Sequence, residues 1–261
     1  MKALLAGLVA LLCCTVGSAE AQEASVFKIL KLEGNQVRWR VPRNSAPLVV
    51  TYRIATETLE FPGARNCRKI TGFDDLSEKS DISSAALKAE LAAAFSMWEA
   101  VANITFKEAP EGVRADILVG AQAEPEGWAF ADVFYDLASA EPMKPISRAL
   151  VCLNPLRGWK IGFDGDLRKY DLRYTFAHEI GHAIGLDHPS GGDQIMGYRY
   201  EERFRALQPG DVRGAVALYG AAPYAELTRP ELSPKGAQVP ASSARRFAKR
   251  WGTRGFTARS P

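Results

Sequence analysis

Apolar residues recur at helical spacing most cleanly between Ser83 and Val101. Leu87, Leu91, Ala94, Phe95, Trp98 and Val101 share one face, as a 3.6-residue period requires. Ser83 or Ser84 stands where an N-cap is needed, and the intervening alanines are the strongest helix formers. This stripe predicts a helix packed on a sheet. Elsewhere the pattern is one of short runs rich in β-branched and aromatic residues, which predict strands over 37–41, 48–54, 104–108, 115–120, 128–135 and 149–154. Residues 61–80 are polar and glycine-marked and read as loop. Two helices follow late. One spans 171–186 and ends at Gly185. The other spans 211–219, with Pro209 at its first turn and Gly220 closing it. This order predicts one α+β domain built on a mixed sheet.

The two ends depart from this pattern. Lys2 precedes an almost purely apolar run over 3–16, followed by the small-residue sequences Gly17-Ser18-Ala19 and Ala19-Glu20-Ala21. The run is too short and wrongly flanked for a membrane anchor, and residues 1–21 read as a secretory signal. Leu12 before Cys13, and Cys13 before Cys14, do not supply the small residue that lipidation of a cysteine wants. Export implies an oxidising periplasmic or extracellular compartment. Removal of the signal leaves Cys67 and Cys152, which are expected to form one disulfide. No other segment is long and apolar enough to span a bilayer.

Residues 22–220 are the expected folded domain. From residue 221 the composition changes to Pro, Ser, Ala, Gly and Arg, and 221–261 read as a largely disordered basic tail. Residues 242–251 could form a short basic amphipathic helix on a membrane surface or an acidic partner, but a solvated tail is the plainer reading. The formal net charge of +3 comes from this tail over a mildly acidic body, which excludes a nucleic-acid footprint. A monomer is expected.

The chemistry is concentrated in AHEIGHAIGLDH, residues 177–188, which holds all 3 histidines of the 261-residue chain. His178 and His182 are four apart, so their rings leave one helical face a turn apart, as two ligands of one tetrahedral zinc would. His188 cannot share that face, so the chain must turn back, and Gly185 stands where a left-handed backbone is needed. Three neutral imidazoles leave one position open for water, which is the catalytic pattern rather than the closed structural one. Glu179 is placed to take a proton from that water and deliver it to a leaving amine.

HEIGHAIGLDH, followed by QIMGY, resembles the metzincin superfamily of zinc endopeptidases, and the matrixin-like branch most. The resemblance extends to TYRI at 51–54, WEAVANITF at 98–106, ADILVG at 115–120 and LQPGDVRGAVALYG at 207–220. It implies a zincin domain: a mixed twisted sheet, an active-site helix and a C-terminal helix. It also implies zinc on His178, His182 and His188, with Glu179 as general base and acid. Met196 would form an apolar floor beneath the ligands. An edge strand at 128–135 would pair with extended polypeptide substrate, and Gly197 with residues 198–204 would shape a side-chain pocket.

Several departures from the matrixin pattern stand out. Pro189 follows the third histidine where matrixins place Ser. Tyr198 stands where astacins and serralysins keep a zinc-ligating or oxyanion-donating tyrosine; Tyr200 is the alternative for that role, and either could simply line the pocket. No histidines remain for the structural zinc of vertebrate matrixins, and Asp132 falls near the position of one. Cys67 lacks the context of the matrixin latency cysteine, and a disulfide to Cys152 is the better assignment. Gly162-Phe163-Asp164-Gly165-Asp166 offers two carboxylates to calcium, although an ordinary Asp/Gly loop accounts for it as well. The competing functions are a zinc hydrolase of non-peptide amides and a catalytically silent or narrowly specific zinc-containing binding protein.

Overall fold

The computed structural model describes residues 27–44, 46–110 and 112–223; the secretory signal expected over 1–21 and the tail beyond 223 lie outside the described residues. The described residues begin with β1 (Lys28–Ile29), β2 (Lys31–Leu32), β3 (Asn35–Arg38), β4 (Leu48–Ile54), β5 (Leu59–Glu60) and β6 (Lys69–Thr71). Next come α1 (Asp74–Ser80), α2 (Ser84–Glu99), β7 (Ile104–Glu108), β8 (Ile117–Gln122), β9 (Ala129–Tyr135) and β10 (Lys144–Leu153). The remainder is β11 (Gly158–Lys160), β12 (Lys169–Asp171), α3 (Leu172–Ala183), β13 (Leu186–Asp187) and α4 (Pro209–Tyr219).

Four strands run parallel in the order β10-β8-β4-β7, and β9 lies antiparallel on the outer side of β10. The middle strands carry continuous apolar runs because both faces of the sheet are covered. Every residue of β8 is buried. On one face α2 presents the predicted stripe: Phe95 stacks on Tyr52 at 4.3 Å and packs against Phe106 at 4.6 Å. Ser83 caps this helix by accepting from Ala86 N. On the other face Ile70, Leu118 and Leu150 form a second cluster with Cys67 and Cys152. The expected disulfide Cys67–Cys152 is formed, and it fastens the segment before β6 to β10.

Several boundaries differ from expectation, each for a physical reason. The first predicted strand, 37–41, is observed as β3, because Trp39 leaves the sheet: its backbone N–H donates to Tyr219 Oη and its indole to Ala183 O. The strand expected over 115–120 starts at Ile117, because the Asp116 carboxylate accepts from both the Thr51 N–H and its hydroxyl. The supposed loop 61–80 contains β6, held by pairing with β8, and α1, of which Leu76 is the buried residue. β10 begins five residues earlier than the predicted strand, pairing first with β3 and then with β8. The motif helix ends at Ala183 rather than at 186, since Leu186–Asp187 pairs with β1. Ala221 bridges to Ala102 and Ala222 is buried, so the fold continues past the predicted tail boundary at 221.

The disulfide closes a separation of 85 residues. Replacing both cysteines by alanine is expected to lower stability by about 2–4 kcal/mol, read as a lower urea midpoint, with a steeper slope because the freed unfolded chain exposes more surface. An unchanged midpoint would show that the segment is held by its apolar cluster alone.

Candidate active site

Asp171 starts the site. Its carboxylate accepts from Tyr174 N at 2.8 Å and caps α3, fixing the helix that carries His178, Glu179 and His182. Arg205 donates to the same carboxylate and to Glu90 of α2, and Arg173 pairs with Glu90 at 2.7 Å. This charged network joins α2, the first turn of α3 and the segment after Met196. Sequence reading missed it, because its members are far apart in the chain and no spacing connects them.

At the end of α3, Gly185 adopts φ +99°, and a Cβ there would lie 2.5 Å from Val37 O. Both the positive φ and the close approach require glycine. The turn returns the chain so that His188 faces the helix. The Nε2 atoms of His178 and His188 lie 3.0 Å apart, and that of His182 is 3.2 Å from each. His178 Nδ1 lies 2.7 Å from Ile195 O, and His182 Nδ1 lies 2.8 Å from Leu186 O. Carbonyls only accept, so these two Nδ1 atoms carry the protons and their Nε2 lone pairs point into the junction. Burial keeps the rings neutral: His178 is held well below the usual imidazole value, His182 falls to about 4, and His188 is lowered too.

Lone pairs that face one another repel unless a cation lies between them. Zinc–imidazole bonds at tetrahedral angles place ligand nitrogens about 3.3 Å apart, so the junction fits such an ion. This trio is the group able to hold a metal among the described residues. At the Asp/Gly loop the two carboxylates face cationic side chains: Asp164 is engaged by Lys160, and Asp166 by Arg168 at 2.8 Å.

Beneath the imidazoles lies Met196, buried against α3. A Cβ on Gly181 would fall 2.2 Å from its sulfur and 3.0 Å from Trp98, so glycine at that position is what lets the floor rise to the ligands. The turn is fastened from below by buried Asp211, which accepts from the N–H groups of Ile195, Met196 and Gln208. The sequence signal for Asp211 was available: it stands in the first turn of a helix that begins with proline, where it completes a capping box with Gln208.

Glu179 is 6% exposed and makes no hydrogen bond among the described residues. Burial, and then the charge of Asp132, push its carboxyl up to about 8. Asp132 is no metal ligand. Its carboxylate accepts from Asn66 N, Asn66 Nδ2 and Cys67 N, tying the disulfide segment to the edge strand.

Tyr198 is 81% exposed, with its ring edge-on to His188 at 5.2 Å. The alternative, Tyr200, is committed elsewhere: its hydroxyl donates to Glu202 at 2.8 Å and accepts from Asp171 N. Its ring continues a stack through Tyr170 to Trp128; Trp128 and Phe130 both line the cleft, and Phe130 also packs against the disulfide cluster. The three histidines, Glu179, Asp132, Trp128, Tyr170, Tyr198 and Tyr200 line a cleft of about 1150 Å³, with β9 on one side and Gly197–Tyr200 on the other.

The fold and the three convergent imidazoles define a zincin-type metal centre in an open cleft. Comparison with known proteins narrows the class: the profile of the matrixin family of peptidases (M10) matches residues 68–220. The chain is 29% identical to rat (Rattus norvegicus) stromelysin-2 over 185 residues, 67% of this chain and 38% of that protein. It is 34% identical to human stromelysin-3 over 136 residues, 50% of this chain and 26% of the relative. It is also 32% identical to the Arabidopsis thaliana metalloendoproteinase 1-MMP over 139 residues, 50% and 37%. These alignments span less than half the length of each relative. The chain belongs to the matrixin family.

Gly181→Ala is expected to cost about 1–3 kcal/mol by overpacking against Met196 and to weaken metal retention. Thermal melts with and without added zinc check both. Unchanged melting and unchanged zinc content would mean that the floor yields freely.

Proposed function

We propose that this protein is an exported zinc-dependent endopeptidase acting on extended polypeptides. His178, His182 and His188 hold the metal, Glu179 is the general base and acid, and Tyr198 donates to the transition state. One observation carries the reading. Three imidazole lone pairs converge beside a buried carboxylate with no hydrogen-bonding partner, in a cleft bordered by an open strand edge. Family membership supports it.

A peptide laid along β9 takes backbone hydrogen bonds from that free edge, which positions its carbonyl over the imidazoles and favours polypeptide over a small amide. When bound, zinc supplies Lewis acidity to water and to the carbonyl. Glu179 has a free carboxylate to accept the proton of the attacking water, and it then donates to the departing amine. Burial and the charge of Asp132 raise this carboxyl; the positive charge of a bound zinc would favour its ionised, proton-accepting form. Tyr198, exposed beside His188, donates to the oxygen on which charge develops. Gly197 and the segment 198–204 shape the side-chain pocket, with the Tyr170–Tyr200 stack as its wall. Export rests on the leader-like residues 1–21 and on the kinship to the matrixins. No helix among the described residues is long and apolar enough to cross a membrane.

The test is cleavage of a diverse peptide mixture by the zinc-loaded protein, reading new termini by mass spectrometry. Glu179→Ala should retain zinc and lose at least about 10²-fold in kcat/KM. Chelation should abolish cleavage, and stoichiometric zinc should restore it. Zinc-loaded protein that cuts nothing would instead indicate a metal-holding binding protein. Tyr198→Phe should lower kcat by about 10²-fold with little change in KM. A change confined to KM would assign Tyr198 to the pocket alone.

A further inference from the structure

The amino-terminal strands do more than extend the sheet. β1 pairs with β13, Lys28 opposite Asp187 and Ile29 opposite Leu186, immediately before His188. The chain then turns through the β2–β3 hairpin at Glu33 and Gly34, both of positive φ, as a two-residue I′ turn requires. Leu30, Leu32 and Glu33 line the same cleft as the imidazoles. Glu33 Oε2 accepts from the hydroxyl of Tyr135, the last residue of the edge strand, at 2.9 Å. The hairpin therefore stands across the Tyr135 end of the cleft.

Four carboxylates line this cleft, and their circumstances differ. Asp132 accepts three hydrogen bonds from Asn66 and Cys67. Asp187 is paired with Lys28 at 2.6 Å. Glu179 belongs to the reaction centre. Glu33 alone among the four is outside that centre and has neither a cationic partner nor a set of backbone donors among the described residues. Tyr135 gives it one neutral donor. The cleft-lining cations Arg65 and Arg199 form no ion pair with it among the described residues.

We propose that Glu33 forms an acidic subsite that selects a lysine or arginine side chain of the substrate, about three residues from the scissile bond. The proposal deepens the peptidase reading and rests on it. The position follows from the strand. Asp132 of the edge strand lines the cleft together with Glu179, α3 packs on β9, and Tyr135 lies three residues beyond Asp132, about 10 Å at the rise of an extended strand. A peptide paired with β9 advances at the same rise. Antiparallel pairing, the more stable per residue, puts its amino-terminal side at the Tyr135 end. The selected residue is then the third before the cut.

The test starts from one peptide that the zinc-loaded protein cleaves and places lysine, norleucine or glutamate at that third position. Lysine should exceed norleucine in kcat/KM by about three- to fivefold, the range an exposed ion pair supports, and glutamate should be poorest. The preference should fade in about 1 M salt, where the screening length falls to about 3 Å. Glu33→Gln keeps an acceptor for Tyr135, so the hairpin stays in place; it should erase the preference while leaving cleavage of the norleucine peptide unchanged, and Glu33→Lys should reverse the order. The same ranking in wild type and Glu33→Gln would overturn the proposal. Equilibrium binding of the three peptides to the zinc-loaded Glu179→Ala protein separates this from failure of the peptidase reading. A Glu33-dependent preference for lysine in binding, with no peptide cut by wild type, would uphold the subsite and sink the enzyme. Cleavage without that dependence would do the reverse.

Discussion

Three imidazole nitrogens, two of them with the ring proton committed to a backbone carbonyl behind them, meet within 3.2 Å. Left to themselves these lone pairs repel, and burial disfavours the protonation that would relieve them. The surrounding structure exists to hold this arrangement. Gly185 returns the chain, Gly181 admits the methionine floor, and Asp211 fastens the turn that carries both Met196 and the carbonyl of Ile195. The Asp171, Arg205 and Glu90 network fixes the helix from its other end. A cation turns the mutual repulsion into coordination, so the cost of the junction is recovered only in the metal-loaded protein.

The cleft is as much a product of the sheet as of the metal centre. β9 runs antiparallel to β10 on the outer side of the parallel set β10-β8-β4-β7, and its outer edge has no strand partner among the described residues. An open edge is normally a hazard for aggregation. Here it lies within a groove bordered by the disulfide segment, which Asp132 holds to β9, and by the β2–β3 hairpin at one end. Polypeptide is the ligand that such an edge accommodates.

Much of this was legible in the sequence, and the legible parts have a common character. β4 and β7 were read to the residue, because alternating and β-branched runs bounded by turn residues leave little freedom. The ligand set was readable because a helix imposes the four-residue spacing, while the glycine marks the return. What escaped depends on contacts distant in sequence. β6 has three residues and exists only against β8. α1 is a polar helix with one buried leucine. The first half of β10 carries Lys144, Ser147 and Arg148, which obscure a strand that pairs with β3 and β9. Glu90, buried by ion pairs with Arg173 and Arg205, sits in a helix whose apolar stripe gave no sign of it. Tyr200 could not be set apart from Tyr198 by position; only the hydrogen bonds to Glu202 and Asp171 show that its hydroxyl is already engaged.

The central claim is that the three histidines together form one zinc site with an open position beside Glu179. Zinc K-edge X-ray absorption on stoichiometrically loaded protein tests it most directly. One zinc per chain, with outer-shell scattering from three imidazoles and first-shell distances of about 2.0–2.1 Å including one further light atom, is the result expected. Fewer than three imidazoles, or failure to retain one equivalent of zinc, would contradict it.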